Sequence, residues 1–427
     1  MLNRILFAGG GAVVGALLVF VISQNMPIGM QDQRPGMPVA MEQDGSAMVD
    51  LEPEAFGTLA ATPGRDQAGG GGPGMGGGGV AMQAMETSEK RVANDTMVAD
   101  PAMPMPVDIM PPEWQPTNTE YLYGGETEFS LPEGTVEVLR RNGFASAGDV
   151  QGILSSLGSF LDWGTFSGMR MQSVNLVQDR SEPWAVYIDF LNGTMDLSRQ
   201  LDWSKSPQAR CSDPECYERT RIKPEDIPAD EQVIAIANAF VFEHGVDRSS
   251  YGEPRVNDDW RRWYALAEDK MSFYAPEQVA VVYPLLINGK PVYDDYGNAS
   301  GLFVSVDVRR KEAVSLTGFQ SGRYERSAYD AVSDRAAFDA VLKKGGISAY
   351  WYDEAAKVVT ATLGEPEESY LRHYIWNQER GQGYEIFVPA LAFPVTKQAN
   401  EGEQRSRVVI PLAQDLLDTP ALGPILY

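Results

Sequence analysis

The run NDDWRRWYALAED places Trp260, Arg261, Arg262, Trp263 and Tyr264 at five consecutive positions. Side chains of these types pair a broad apolar surface with a polar tip, which makes them frequent anchors of protein interfaces, and an indole also stacks on a sugar ring. The i, i+3, i+4 spacing of Trp260, Trp263 and Tyr264 supports a second reading, in which the three form the inward stripe of a helix. These five residues are the candidate binding site, and either reading places them on a helix.

Catalytic chemistry is harder to find. GTFSG at residues 164–168 and GNASG at residues 297–301 put the serine one position too late for a nucleophile elbow. The two histidines, His244 and His373, stand far apart and outside any H-E-x-x-H pattern. His244 falls on the apolar face of an expected helix beside its C-terminus, where it serves as a core or capping residue. Carboxylates are abundant, but no pair stands out as acid and base. Asp294, Asp295 and Asn298 in YDDYGN offer oxygens of the type Ca²⁺ takes, yet depart from EF-hand spacing and read better as a polar turn. No catalytic residue, metal ligand or cofactor is assigned.

Cys211 and Cys216 are the two cysteines, close together in RCSDPECYE. A local disulfide across Asp213-Pro214 is expected in an oxidising compartment, whereas zinc would require two further ligands. The formal net charge of -24 repels phosphate backbones and argues against nucleic-acid binding.

The elements that must position these residues follow a long N-terminal approach. Residues 5–22, ILFAGGGAVVGALLVFVI, are uncharged and would span about 27 Å as a helix, enough to cross a bilayer. Arg4 on the short side places the N-terminus in the cytoplasm, so residues 1–23 are expected to be a transmembrane signal anchor with everything after it extracytoplasmic. Gly11 and Gly15, spaced as G-x-x-x-G, would let a second anchor approach and make a homodimer. Residues 24–116 turn to Gly, Pro, Met and acidic residues, with Phe56 and Trp114 as the only aromatics, and are expected to form a disordered tether. Their methionines offer thioethers suited to Cu(I), but are irregularly spaced and lack accompanying histidine or cysteine.

From residue 117 the pattern is a helix followed by antiparallel strands, three times over: residues 117–225, 226–327 and 328–427. Amphipathic helices are expected behind Asp149, at Asp230 and over residues 333–344. Residues 283–318 read as a four-stranded meander with turns at Asn288-Gly289, Gly297-Asn298 and Arg309-Arg310. The expected fold class is α+β, built of repeated helix-plus-antiparallel-meander units.

With its NGK turn at Asn288, its GN turn at Gly297, the strand VSVD ending at Asp307, and LGEPEESY leading to YEIFVPALAFPV, the stretch from residue 230 to residue 417 resembles extracytoplasmic regulatory domains of the YycH/YycI kind. It also resembles, more loosely, PepSY-type modules. The resemblance implies a non-enzymatic binding or inhibitory module held outside the membrane, and transfers no site residue. The expected function is a membrane-anchored, extracytoplasmic regulatory protein of the cell envelope, acting through contacts with an envelope or membrane protein. The alternative is a cell-wall or glycan-associated protein; a carboxylate-dependent hydrolase would need a cleft with convergent acids.

Overall fold

A computed structural model describes residues 48–59, 117–144, 148–158, 172–267, 269–270, 273, 275–347, 357–377, 382–399 and 405–418. The expected anchor at residues 5–22, with Gly11 and Gly15, lies outside the described residues, as do residues 24–47 and 60–116 of the expected tether. Among the described residues, no helix is long and apolar enough to cross a membrane.

The fold is α+β and mostly strand. In chain order it runs β1 (Met48–Asp50), β2 (Thr117–Tyr123), β3 (Thr135–Arg141), α1 (Gly148–Ser156), β4 (Ser173–Val177), β5 (Trp184–Asp189), β6 (Thr194–Arg199), α2 (Pro214–Thr220) and α3 (Asp230–Glu243). It continues with β7 (Arg255–Val256), α4 (Asp259–Leu266), β8 (Gln278–Pro284), β9 (Leu286–Ile287), β10 (Lys290–Tyr293), β11 (Gly301–Asp307), β12 (Glu312–Gln320) and β13 (Tyr324–Asp330). It closes with α5 (Arg335–Lys344), β14 (Lys357–Leu363), β15 (Glu367–Asn377), β16 (Gln382–Lys397), β17 (Arg407–Pro411) and α6 (Gln414–Leu417).

Seven strands form an antiparallel sheet in the order β4-β5-β6-β12-β11-β8-β7. Period-two alternation sets its faces: Trp184, Val186 and Ile188 of β5 are buried, while Tyr187 between them is exposed. Helices α1 and α3 cover the buried face. Val150, Ile153 and Leu154 of α1, with Val233, Ala237, Phe240 and Val241 of α3, join Met195, Leu197, Val281, Val304 and Leu316 in one core. The two helices are tied at their C-terminal ends, where His244 follows α3 with Nδ1 2.7 Å from the Ser156 hydroxyl and its ring packed on Phe240. Burial holds that imidazole below its usual pKa, as suits a core histidine.

Ten strands form a second sheet centred on β16, which pairs with β15, β3, β17 and β14. Three of the sheet's pairings are parallel: β1 with β13, β10 with β15, and β14 with β2. Phe338 and Leu342 of α5 pack with Phe393, Ile410 and Leu363 in its core. The ends of α5 follow from its sequence. The Asp334 carboxylate accepts the Ala336 and Ala337 N–H groups, and Gly345 takes the left-handed conformation after the last turn.

The expected four-stranded meander is split between the sheets. Its turns form where expected, with Asn288 and Gly289 at φ 51 and 75 as a tight hairpin requires. Yet β8 pairs directly with β11, and the β9-β10 hairpin between them leaves the first sheet to run parallel to β15 in the second. Leu285, Ile287 and Val292 are buried there against Leu139, Tyr324, Tyr370 and Phe387. The apolar residues that suggested one sheet face thus fill the core of another. Gly301 permits the exit, because a Cβ at this position would meet the Tyr283 carbonyl and would lie 2.8 Å from the Leu285 nitrogen. Helix followed by strands recurs at α1, α3 and α5, but the strands pool into two sheets, with residues either side of 225 sharing the first through β6 and β12.

Arg141, at the end of β3, joins the sheets. Its guanidinium is 2% exposed, pairs with Glu385 of β16 in the second sheet, and donates through Nε to the Asn192 carbonyl (2.7 Å) in the β5-β6 turn of the first. Burial pushes the Glu385 carboxyl up, but the charges of Arg141 and Arg372 outweigh it and hold the group below its usual range. Arg141→Ala should cost about 3 kcal/mol in urea unfolding, because it removes the nearer of the two charges that face Glu385 and leaves only Arg372, 3.9 Å away. With the folded pKa of Glu385 depressed, its contribution is present above the unfolded value of about 4.3 and is lost as pH falls below it. The gap between wild type and Arg141→Ala should therefore narrow in acid.

Candidate functional site

The five candidate residues lie on α4, laid across the surface where the chain returns from β7 to β8. Expected as either a core stripe or a contact surface, α4 has no buried residue: Trp263 is 44% and Leu266 38% exposed, while Trp260, Arg261, Arg262 and Tyr264 are half-buried. The three do not form one buried stripe: Trp260 and Tyr264 lean partly inward and Trp263 faces out. Polar contacts fix the helix at both ends. At its N-terminal end Arg261 grips Asp230 at the start of α3 through both guanidinium nitrogens, one at 2.9 Å, while its charge lies 5.2 Å from the Trp260 ring centre. That grip holds the Asp230 carboxyl below its usual pKa. At the C-terminal end the Lys270 ammonium donates to the Tyr264 and Ala265 carbonyls, as a cation should at a helix C-terminus.

Tyr264 packs edge-on against Phe273, at 5.2 Å between ring centres. The Phe273 carbonyl accepts from Arg221, just beyond α2, where the expected disulfide joins Cys211 to Cys216 with 5.3 Å between their Cα atoms. Asp213 caps α2 by accepting the Cys216 N–H at 2.7 Å. The crosslink thus holds the start of a helix whose far end reaches the aromatic region. In YDDYGN, Asp294 accepts the Tyr296 and Asn298 N–H groups, closing the polar turn expected of it. His373 is buried on β15 with Nδ1 3.4 Å from Asp295.

One structural feature escapes the sequence reading. Residues 48–59, inside the expected tether, are docked on the second sheet. β1 pairs parallel with β13, matching Met48, Val49 and Asp50 with Tyr324, Glu325 and Arg326, and Asp50 forms an ion pair with Arg326. Beyond β1 the segment is read by hydroxyls. Ser327 accepts the Ala55 N–H and donates to the Glu52 carbonyl; Tyr329 accepts the Phe56 N–H and donates to the Gly57 carbonyl; Tyr384 donates to the Phe56 carbonyl, all between 2.7 and 3.0 Å. Phe56 (5% exposed) and Leu59 (0%) enter the second core, with the Arg140 guanidinium 4.6 Å from the Phe56 ring centre. Burial pushes the Tyr329 phenol up to about 12, so it remains a donor throughout the physiological range. The available signal was Phe56 itself, an aromatic with Leu59 three residues on in a stretch otherwise poor in such residues.

The Arg261–Asp230 pair is largely solvated, so Arg261→Ala should lower global stability by less than about 1 kcal/mol in urea unfolding, while freeing the N-terminal end of α4.

No family model matches the chain, and no curated protein does. Among solved structures it is similar to an uncharacterised protein from Eubacterium rectale, at 11% identity and a TM-score of 0.28, over 65% of this chain and 82% of that one. It is also similar to the YpeB C-terminal domain of Bacillus megaterium, at 9% identity and a TM-score of 0.21, over 64% of this chain and 99% of that one. Neither overlap is deep enough to carry an argument about function, and the YycH/YycI and PepSY resemblance remains an expectation of the sequence.

Proposed function

We propose that this chain is a membrane-anchored, extracytoplasmic binding protein that regulates an envelope or membrane partner through protein–protein contacts and catalyses no reaction. The observation that carries this reading is α4: a helix with no buried residue, fixed at both ends, with Trp263 and Leu266 exposed. A tryptophan held on a rigid element loses little entropy when covered, which is the property of an interface anchor. The disulfide supports an oxidising location, and residues 5–22 supply the anchor in this reading.

The test is crosslinking in intact membranes followed by recovery of the full chain. Trp263→Ala should reduce capture of the wild-type partner at least ~10-fold while changing unfolding free energy by no more than about 0.5 kcal/mol. Tyr187→Ala, an exposed aromatic on the first sheet, should leave capture unchanged. Equal capture by wild type and Trp263→Ala would remove α4 from the interface.

A further inference from the structure

The seat of residues 48–59 has the form of a site for an extended peptide. It offers a strand edge, β13, for main-chain pairing, and three hydroxyls, those of Ser327, Tyr329 and Tyr384, that take both donors and acceptors of the incoming backbone. Three side-chain positions add selectivity: Asp50 at Arg326, Phe56 beneath Arg140, and Leu59 in the core. Main-chain pairing for affinity and pockets for side chains are the parts of recognition by strand addition.

We infer that this seat is an exchange site, filled by residues 48–59 of a second copy of the chain as well as by the chain's own. The hydrogen bonds and the ion pair described for residues 48–59 run to β13 or β16, and the Arg140 contact with Phe56 comes from β3. The covalent link from the segment to β2 is residues 60–116, which extend at most about 200 Å. A link of that length does not dictate which body its segment fills, and an identical segment from another copy makes identical contacts. Exchange of an identical element is the low-cost route to a dimer. It also keeps the β13 edge covered in either arrangement, whereas an unfilled seat would leave that edge open. A link of this length holds the chain's own segment at an effective concentration on the order of a millimolar or lower, so exchange grows where copies are crowded.

Full-length chains carrying Val49→Cys under one affinity tag are mixed with chains carrying Glu325→Cys under another. These positions face each other in the register, and Val49 is exposed. After oxidation, a disulfide between the two differently tagged chains at these two positions, identified by mass spectrometry, forms only by exchange. Its yield should rise at least ~10-fold between about 10 μM and about 1 mM protein, and should fall to background when the Val49→Cys chain also carries Phe56→Ala. Bridging confined to single chains that carry both cysteines, with no mixed product at 1 mM, would overturn the inference. A fluorescent peptide of residues 48–59 supplies a second readout free of the Glu325 substitution. It should saturate full-length Phe56→Ala chains at least ~10-fold more tightly than wild type, because the resident competitor is weakened. No saturable binding to that folded variant would equally overturn it.

Discussion

A buried guanidinium governs how the two sheets meet. Arg141 stands on β3 of the second sheet, reaches the β5-β6 turn of the first through the Asn192 carbonyl, and is neutralised by Glu385 on β16. An ion pair of this kind adds little net stability compared with apolar packing, but it holds the guanidinium in place within the second sheet, and displacement of the first sheet would take the Asn192 carbonyl away from that buried cation. Neighbouring contacts repeat the link with neutral groups. Ser321 donates from its hydroxyl to the Asn142 carbonyl at 2.7 Å and from its backbone to the Gly193 carbonyl at 2.9 Å. The β9-β10 hairpin then crosses from the first sheet to the second and fills the space beside them.

With the sheets fixed, the surfaces available for recognition lie at their margins. Helix α4 lies beside β7, a two-residue edge strand, and is held by charge and helix-end contacts without contributing a residue to either core. The seat of residues 48–59 lies along β13 and draws on β3 and β16 behind it. Among the described residues, neither surface brings a nucleophile, base and oxyanion donors together. Both carry aromatic, arginine and main-chain groups, the chemistry on which the proposed binding role rests.

The parts of the fold legible in sequence were those with local causes. Asn288-Gly289 marked its hairpin because few other pairs tolerate two successive positive φ values, and the apolar spacing of Val233, Ala237, Phe240 and Val241 marked α3. Cys211 and Cys216 marked their bridge by proximity. What escaped depended on distant partners. β15 is paired along its whole length with β16, and Glu365 just before it binds Thr127 and Tyr123, holding its carboxyl down to about 2; nothing in GEPEESY announces either. The division of residues 283–318 between two sheets was illegible because alternation states that a residue is buried, not which core buries it. For α4 the spacing allowed core or surface, and only the packing decided. Residues 48–59 were hidden by averaging: the composition of their surroundings outweighed one phenylalanine and two leucines.

The docked segment changes what the N-terminal region does. A stretch expected only to carry the folded part away from a membrane also completes that part, supplying a strand and two core side chains. The most direct measurement is amide hydrogen exchange on the full-length chain at residues 51–56, where Leu51 donates to the Arg326 carbonyl, Ala55 to Ser327 and Phe56 to Tyr329. Exchange at these amides should be at least ~100-fold slower than in a free peptide of the same sequence. Rates equal to those of the free peptide would contradict the account.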